Sequence, residues 1–176
     1  IKDVTLSEER NRETITKLKA EYREILNIYK DYEEEYEIVK NPLELQFENI
    51  DKLFNAFEVS MEQNAYTEVG KIVKAIADVI GNLKVIIEET RPIVSLGKNL
   101  IPKKEDDIKN IYDKMTREGY NLEYLNIDYN IEEANKKIQD IFQRLNVLNV
   151  EDSLFELKTM HDYFDSLYND FDKERY

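Results

Sequence analysis

His161 is the chain's sole histidine, so any imidazole chemistry rests on that one side chain. A helical di-iron or zinc site needs at least two imidazoles, or a Glu three residues ahead of a His, and the residue three before His161 is Lys158. A boundary histidine packed beside Phe164 is the better reading, and no metal site is assigned. Ser7, Ser60, Ser95, Ser153 and Ser166 lie in no glycine-flanked elbow, so none reads as an activated nucleophile. The glycines, at 70, 81, 97 and 119, are too scattered to form a phosphate-cradling loop. There is no cysteine, which removes thiol nucleophiles, disulfides, zinc ribbons and iron–sulfur sites together. No catalytic residue and no cofactor site is assigned, and an enzyme is not expected.

Charge excludes further partners. Lys and Arg number 25 against 38 Asp and Glu, a net −13, which opposes nucleic acid and anionic lipid because every phosphate contact needs a cation. Lys103-Lys104 is followed at once by Glu105-Asp-Asp107, which cancels it locally. The acid run Glu33-Glu34-Glu35 reads as a solvated helix face. Glu132 with Lys136, Glu133 with Lys137 and Asp113 with Arg117 are spaced four apart, which supports exposed helix faces by a few tenths of a kcal/mol each.

The elements that carry these residues are helices. Gly and Pro together number 4 + 3 = 7 of 176, too few for the reversals of a sandwich, a barrel or a doubly wound sheet. Thr5-Leu-Ser-Glu8 has capping-box spacing. After it Ile15, Leu18, Tyr22, Ile25, Tyr29, Tyr32, Tyr36 and Val39 recur at steps of three and four, one stripe on a helix of about 50 Å. Asn41-Pro42-Leu-Glu44 is expected to end that helix and to open the next, with Asn41 as cap and Pro42 at the first position.

A second stripe, Leu43, Phe47, Ile50, Phe54, Phe57 and Met61, stops at the reversal Gln63-Asn64-Ala65-Tyr66. The third helix carries Val69, Val73, Ile76, Ile80, Leu83 and Ile87, broadened by Ile72, Val79 and Ile86. Charged and polar residues interrupt its stretch Ile72 to Ile87 too often for a membrane span or a signal peptide. Pro92 is expected to bend or stop this helix, and Pro102 to start another with Glu105, Asp106 and Asp107 in an acidic first turn. Ile108, Ile111, Met115, Leu122 and Leu125 continue to Ile138, Ile141 and Leu145 in a fourth segment, with a kink or short break at Gly119. Asn149-Val-Glu-Asp152 caps a fifth helix carrying Val150, Leu154, Leu157, His161, Phe164, Tyr168 and Phe171.

Seams that mix Tyr, Phe and Ile and are cut by short reversals favour antiparallel bundles over a long zipper. The fold class expected is all-α: elongated antiparallel helical bundles with long kinked helices, residues 5–101 as a first three-helix unit and 102–176 as a second, partial one. The twelve tyrosines suit such seams, with the ring inside and the hydroxyl at the edge.

Two stretches go beyond periodicity. Met115-Thr-Arg-Glu-Gly-Tyr-Asn-Leu-Glu-Tyr-Leu125, continuing to Ile127, resembles the Gly-Tyr-x-Leu-x-x-Leu/Ile element of EzrA, the septation ring formation regulator family of Gram-positive bacteria. Leu148-Asn-Val-Glu-Asp-Ser-Leu-Phe-Glu-Leu-Lys-Thr-Met160, with Tyr163-Phe-Asp-Ser-Leu167, resembles the helix that follows it, and Asn64-Ala-Tyr66 falls at the family's Gly-Asn-Tyr turn. The likeness runs in order over roughly residues 8 to 175. It implies spectrin-like three-helix repeats behind one amino-terminal membrane helix, which these residues lack, and a scaffold that binds the tubulin-like division protein FtsZ. The same resemblance implies restraint of Z-ring assembly, a link to cell-wall synthesis proteins, and a place on the cytoplasmic side of the membrane at the septum. The carboxy-terminal Gln-Asn-Arg patch of the family has no match here.

The sequence thus reads as a non-enzymatic scaffold or spacer segment, soluble as this fragment, with Asn41, Pro42, Pro92, Pro102, Gly119 and Tyr120 as structural positions. The first residue is Ile1, not Met, so flanking sequence is expected. The rival reading is a helical sensor or small-molecule-binding bundle of a membrane-anchored protein, hinged at Pro92 and Gly119.

Overall fold

The computed structural model describes residues 2–176, with side chains from residue 6 onward. Among the described residues there are six α-helices: α1 (Lys2–Asp31), α2 (Lys40–Glu62), α3 (Tyr66–Val94), α4 (Ile101–Arg117), α5 (Ile127–Leu145) and α6 (Ser153–Arg175). Two 3₁₀ segments, Glu33–Val39 and Glu123–Leu125, and a π-helical stretch, Ser95–Leu100, join some of them, and no described residue is in a strand. The chain is an all-α helical-bundle protein. Its compact units are Ile1–Glu88 and Glu89–Tyr176, so the division lies inside α3, ahead of the 101/102 boundary expected from Pro102. The side chain of Thr5, expected to cap α1, lies outside the described residues.

In the first unit α1 and α2 run antiparallel along an aromatic seam. Tyr22 meets Phe47 and Phe54 at ring-centroid distances of 6.0 and 5.9 Å, and Tyr29 stands edge-on to Phe47 at 5.3 Å. Because the rings are amphipathic, each hydroxyl must find an acceptor once its ring is buried. Tyr22 donates to the Phe47 carbonyl at 3.2 Å, Tyr36 to the Ile87 carbonyl at 2.7 Å, and Tyr29 to the Glu44 carboxylate at 3.3 Å. Burial, then the nearby Glu44 carboxylate, pushes the Tyr29 hydroxyl up to about 12.

The stripe of the first helix is interrupted where the backbone tightens. Tyr32 is 43% exposed, whereas Tyr36 and Val39 are fully buried; at three residues per turn the 3₁₀ segment superposes positions 36 and 39 on one face. Asn41 is therefore no cap. The residue preceding α2 is Val39, with no side-chain cap bond, and Asn41 is exposed in the first turn. Pro42 sits in that same turn, where its missing N–H has no intrahelical acceptor to lose.

In the second unit the helix does not stop at the prolines. α3 carries Pro92 internally, and the backbone stays helical through Ser95–Leu100 into α4, whose first turn holds Pro102. A proline ring clashes with the carbonyl four residues back, here Lys98. The π-turn widens the backbone at that place, and the Ile101 N–H reaches the Leu96 carbonyl, five residues back. The same turn exposes a bare backbone surface to α5: a Cβ on Gly97 would lie 2.7 Å from Cζ of Phe142.

The kink or short break expected at Gly119 is a break, and a complete reversal of the chain. Gly119 adopts φ +98, its N–H donates to Thr116 and that of Tyr120 to Met115, the paired bonds of a Schellman cap. α5 then returns antiparallel to α4, with Leu122 and Ile127 buried at the bend. α6 runs beside both.

Two sets of substitutions test this account. Gly119→Ala should lower unfolding free energy by about 1–2 kcal/mol through left-handed strain alone, since its site is open. Gly81→Ala, on an open helical face with no atom within 4 Å, should raise it by about 0.4–1 kcal/mol. Urea midpoints moving in the same direction for both would contradict the cap assignment. Separately, Ile76 is fully buried while Phe54, expected in the core, is only half-buried. Ile76→Ala should cost about 2–5 kcal/mol, and Phe54→Ala clearly less, by the same measurement.

Candidate functional site

The structural positions singled out from sequence do not converge. Asn41 and Pro42 lie in the first turn of α2, Pro92 inside α3, Pro102 in the first turn of α4, and Gly119 with Tyr120 at the α4–α5 reversal. His161 is half-buried on α6, at the edge of a depression it shares with Leu100, Lys103 and Tyr168. There Lys104 pairs with Asp165, and the Tyr168 hydroxyl donates to Asp107 at 2.6 Å. Among the described residues no group of three or more His, Cys, Asp or Glu is placed to hold a metal ion, and no helix is long and apolar enough to cross a membrane.

The concave surface that the fold does build lies between α5 and α6. It starts from the connection between them. α5 ends in another Schellman cap, with Leu148 N–H donating to Leu145 and Asn149 N–H to Arg144, but the left-handed position is filled by Leu148 at φ +62. Asp152 is left-handed too, at φ +59, just ahead of α6. A left-handed leucine costs about 1–2 kcal/mol, so something must hold this connection closed. Arg144 does so: its guanidinium donates to Asp140 at 3.1 Å, to the Glu151 carbonyl at 3.0 Å and to Glu156 at 3.3 Å.

The clamped connection leaves Val147 and Phe155 each 74% exposed. Beside Phe155 is a groove of about 290 Å³, with Ala134, Met160 and Phe164 among the residues that form it. Ala134, buried, contributes no side chain beyond Cβ to fill the space. The Asn130 amide donating to the Tyr163 hydroxyl at 2.6 Å spans one end, and the Arg144–Glu156 pair spans the other. On its edge the Glu133–Lys137 pair expected from spacing is not formed. Glu133 pairs with Lys136 at 3.4 Å, and Lys136 with Glu132 at 3.7 Å, so Lys137 has no ion-pair partner among the described residues.

A second feature escaped the sequence reading. Glu105, expected in the acidic first turn of a helix, is 6% exposed and faces α5. It occupies a seam position in the run Ile101, Glu105, Ile108, Tyr112, Met115, whose steps of four, three, four and three were the available signal. Asn135 of α5 can answer either protonation state: with its amide nitrogen turned toward Glu105 it donates to both carboxylate oxygens at 3.0 and 2.9 Å, and with the amide the other way round its carbonyl accepts from the acid. Burial, with the Asp106 charge adding to it and the Asn135 bond opposing it, pushes the Glu105 carboxyl from 4.5 up to about 7.

With this geometry in view, the sequence over residues 1–176 matches the family described as "Septation ring formation regulator, EzrA". The chain belongs to the EzrA family. Among curated relatives, it is 25% identical over 168 residues to the septation ring formation regulator EzrA of Geobacillus sp. (strain WCH70), covering 96% of this chain and 30% of that protein. It is 21% identical over 169 residues to EzrA of Staphylococcus epidermidis, with 96% and 30% covered, and 22% over 175 residues to EzrA of Bacillus licheniformis, with 99% and 31% covered. The chain therefore spans about 30% of the length of the EzrA relatives it matches. No solved structure matches it significantly. The Gly-Tyr-x-Leu element of the resemblance is the α4–α5 reversal, and the second stretch is the strained connection and α6.

Glu105 sets a pH dependence whose sign follows from its raised value. The folded state keeps the proton that the unfolded state loses, so this contribution to stability is complete below pH 4.5 and is lost as pH rises through about 7. Glu105→Gln should raise the urea midpoint at pH 8 relative to the unsubstituted chain, and the advantage should shrink toward pH 5. An advantage independent of pH would contradict the buried-carboxyl assignment.

Proposed function

We propose that this chain is a non-enzymatic scaffold segment of a bacterial cell-division regulator. It binds the FtsZ-like filament protein, restrains ring assembly and helps connect the ring to cell-wall synthesis proteins. Attachment to the cytoplasmic face of the membrane at the septum would come from an amino-terminal helix outside these 176 residues. The observation that carries this reading is the family match along the whole chain, residues 1–176. The helical architecture supports it: both units spend their apolar stripes on internal seams and present long polar faces, a design that supplies many weak protein contacts.

Sedimentation of FtsZ filaments tests the proposal. The purified chain should pellet with filaments assembled in GTP and, in excess, should lower the amount of filament pelleted. A chain that stays in the supernatant at every filament concentration, with light scattering of assembly unchanged, would remove FtsZ as a direct partner.

A further inference from the structure

We infer that the α5–α6 groove is a docking site for a helix of a protein partner, one that inserts a large apolar side chain beside Phe155 and sets a carboxylate against Lys137. Three observations point to this occupant. The groove of about 290 Å³ has an apolar base at Ala134, Met160 and Phe164, and Phe155, which lines it, is 74% exposed, so ring and groove form one contiguous apolar surface. Its ends are fixed by the Asn130–Tyr163 bond and the Arg144–Glu156 pair, about two turns or ~10 Å apart along α6. That is room for one anchor residue of a helix laid between two others, as in a four-helix bundle.

The third observation is charge. Glu156 is engaged by Arg144 and Glu133 by Lys136, so both edge carboxylates already have cations, while the Lys137 ammonium has no ion-pair partner among the described residues. The complementary group is therefore an acid, in spite of the net charge of −13 on the whole chain, and such pairing selects partner and register more than it adds affinity. Leu148, strained at φ +62, and its Arg144 clamp hold the end of the groove in one geometry before a partner arrives.

The inference rests on reading the chain as a protein-binding segment, and its test does not use FtsZ. Two fluorescently labelled amphipathic helices of about 18 residues would carry one central Phe flanked by Glu in one peptide and by Lys in the other. The groove-dependent part of binding is read as the difference between the unsubstituted chain and Thr159→Trp, which fills the groove from an exposed position. Phe155→Ser serves as a second blocking variant should Thr159→Trp unfold by circular dichroism.

At physiological salt the Glu peptide should bind the unsubstituted chain about tenfold more tightly than it binds either blocked variant, and Lys137→Glu should transfer that preference to the Lys peptide. Groove-dependent binding that ignores the sign of the peptide, or favours Lys on the unsubstituted chain, overturns the inference. So does self-association in sedimentation velocity that the blocking variants abolish, because the occupant is then a second copy. A chain that fails to pellet with FtsZ yet takes the Glu helix removes only that filament partner.

Discussion

The hydrogen bond from the Ile101 N–H back to the Leu96 carbonyl is the constraint on which the second unit depends. An α-helical path would press the Pro102 ring against the Lys98 carbonyl and stop the helix there. One π-type turn lets the chain carry a proline without reversing. Everything downstream is phased by it: Gly97 comes to rest under Phe142, and Ile101, Glu105, Ile108 and Met115 all turn inward. Pro42 follows a related rule in the first unit. The carbonyl four residues before it belongs to Ile38, inside the 3₁₀ segment that precedes α2. In both cases the backbone changes pitch ahead of the proline, and the helix continues after it.

This explains which parts of the fold were legible in sequence. Periodicity found the seams, since Ile15 to Tyr29, Leu43 to Met61 and Val69 to Ile87 are buried largely as spaced. The loss of pattern at Gln63–Tyr66 found where α2 ends, at the left-handed Asn64. What spacing could not show was the pitch between elements. Reading α-helical steps of three and four through residues 29–39 put Tyr32 in the seam, and the 3₁₀ segment takes it out. Reading Pro92 and Pro102 as breaks divided a run that stays helical, and the π-turn stands ahead of Pro102 alone. Gly119 was read as a kink or short break because Leu122 and Leu125 continue the pattern, although a left-handed glycine closing two cap bonds turns the chain around. Leu148 had no signal at all, since a leucine gives no warning of a left-handed backbone.

Glu105 shows a different failure. Two rules applied to one residue: three acids after a proline suit the first turn of a helix, and a step of four from Ile101 suits the seam. The first rule needs a helix end at Pro102, and the π-turn removes that end. With no helix terminus nearby, only the seam rule remains, and the carboxyl is buried against the one neutral polar side chain that can serve it in both protonation states, Asn135. A buried acid in a seam weakens packing relative to an aliphatic residue. It also penalises shifted pairings of α4 and α5, in which the acid would meet an apolar neighbour.

The candidate surface was partly written in the sequence and partly decided by competition among neighbours. Phe155 falls off the α6 stripe and Ala134 is the smallest member of the α5 stripe, so both the exposed ring and the shallow place beside it follow from spacing. The charge on the edge does not. Glu133 can reach Lys136 at a step of three or Lys137 at a step of four, and the two choices leave different cations open to a partner. Lys136 already leans on Glu132, so adding Glu133 gathers two acids around one ammonium and releases the other. The pairing is worth only tenths of a kcal/mol to the helix. It nonetheless decides that the ammonium left without an ion pair is Lys137, which lines the apolar groove, and not Lys136.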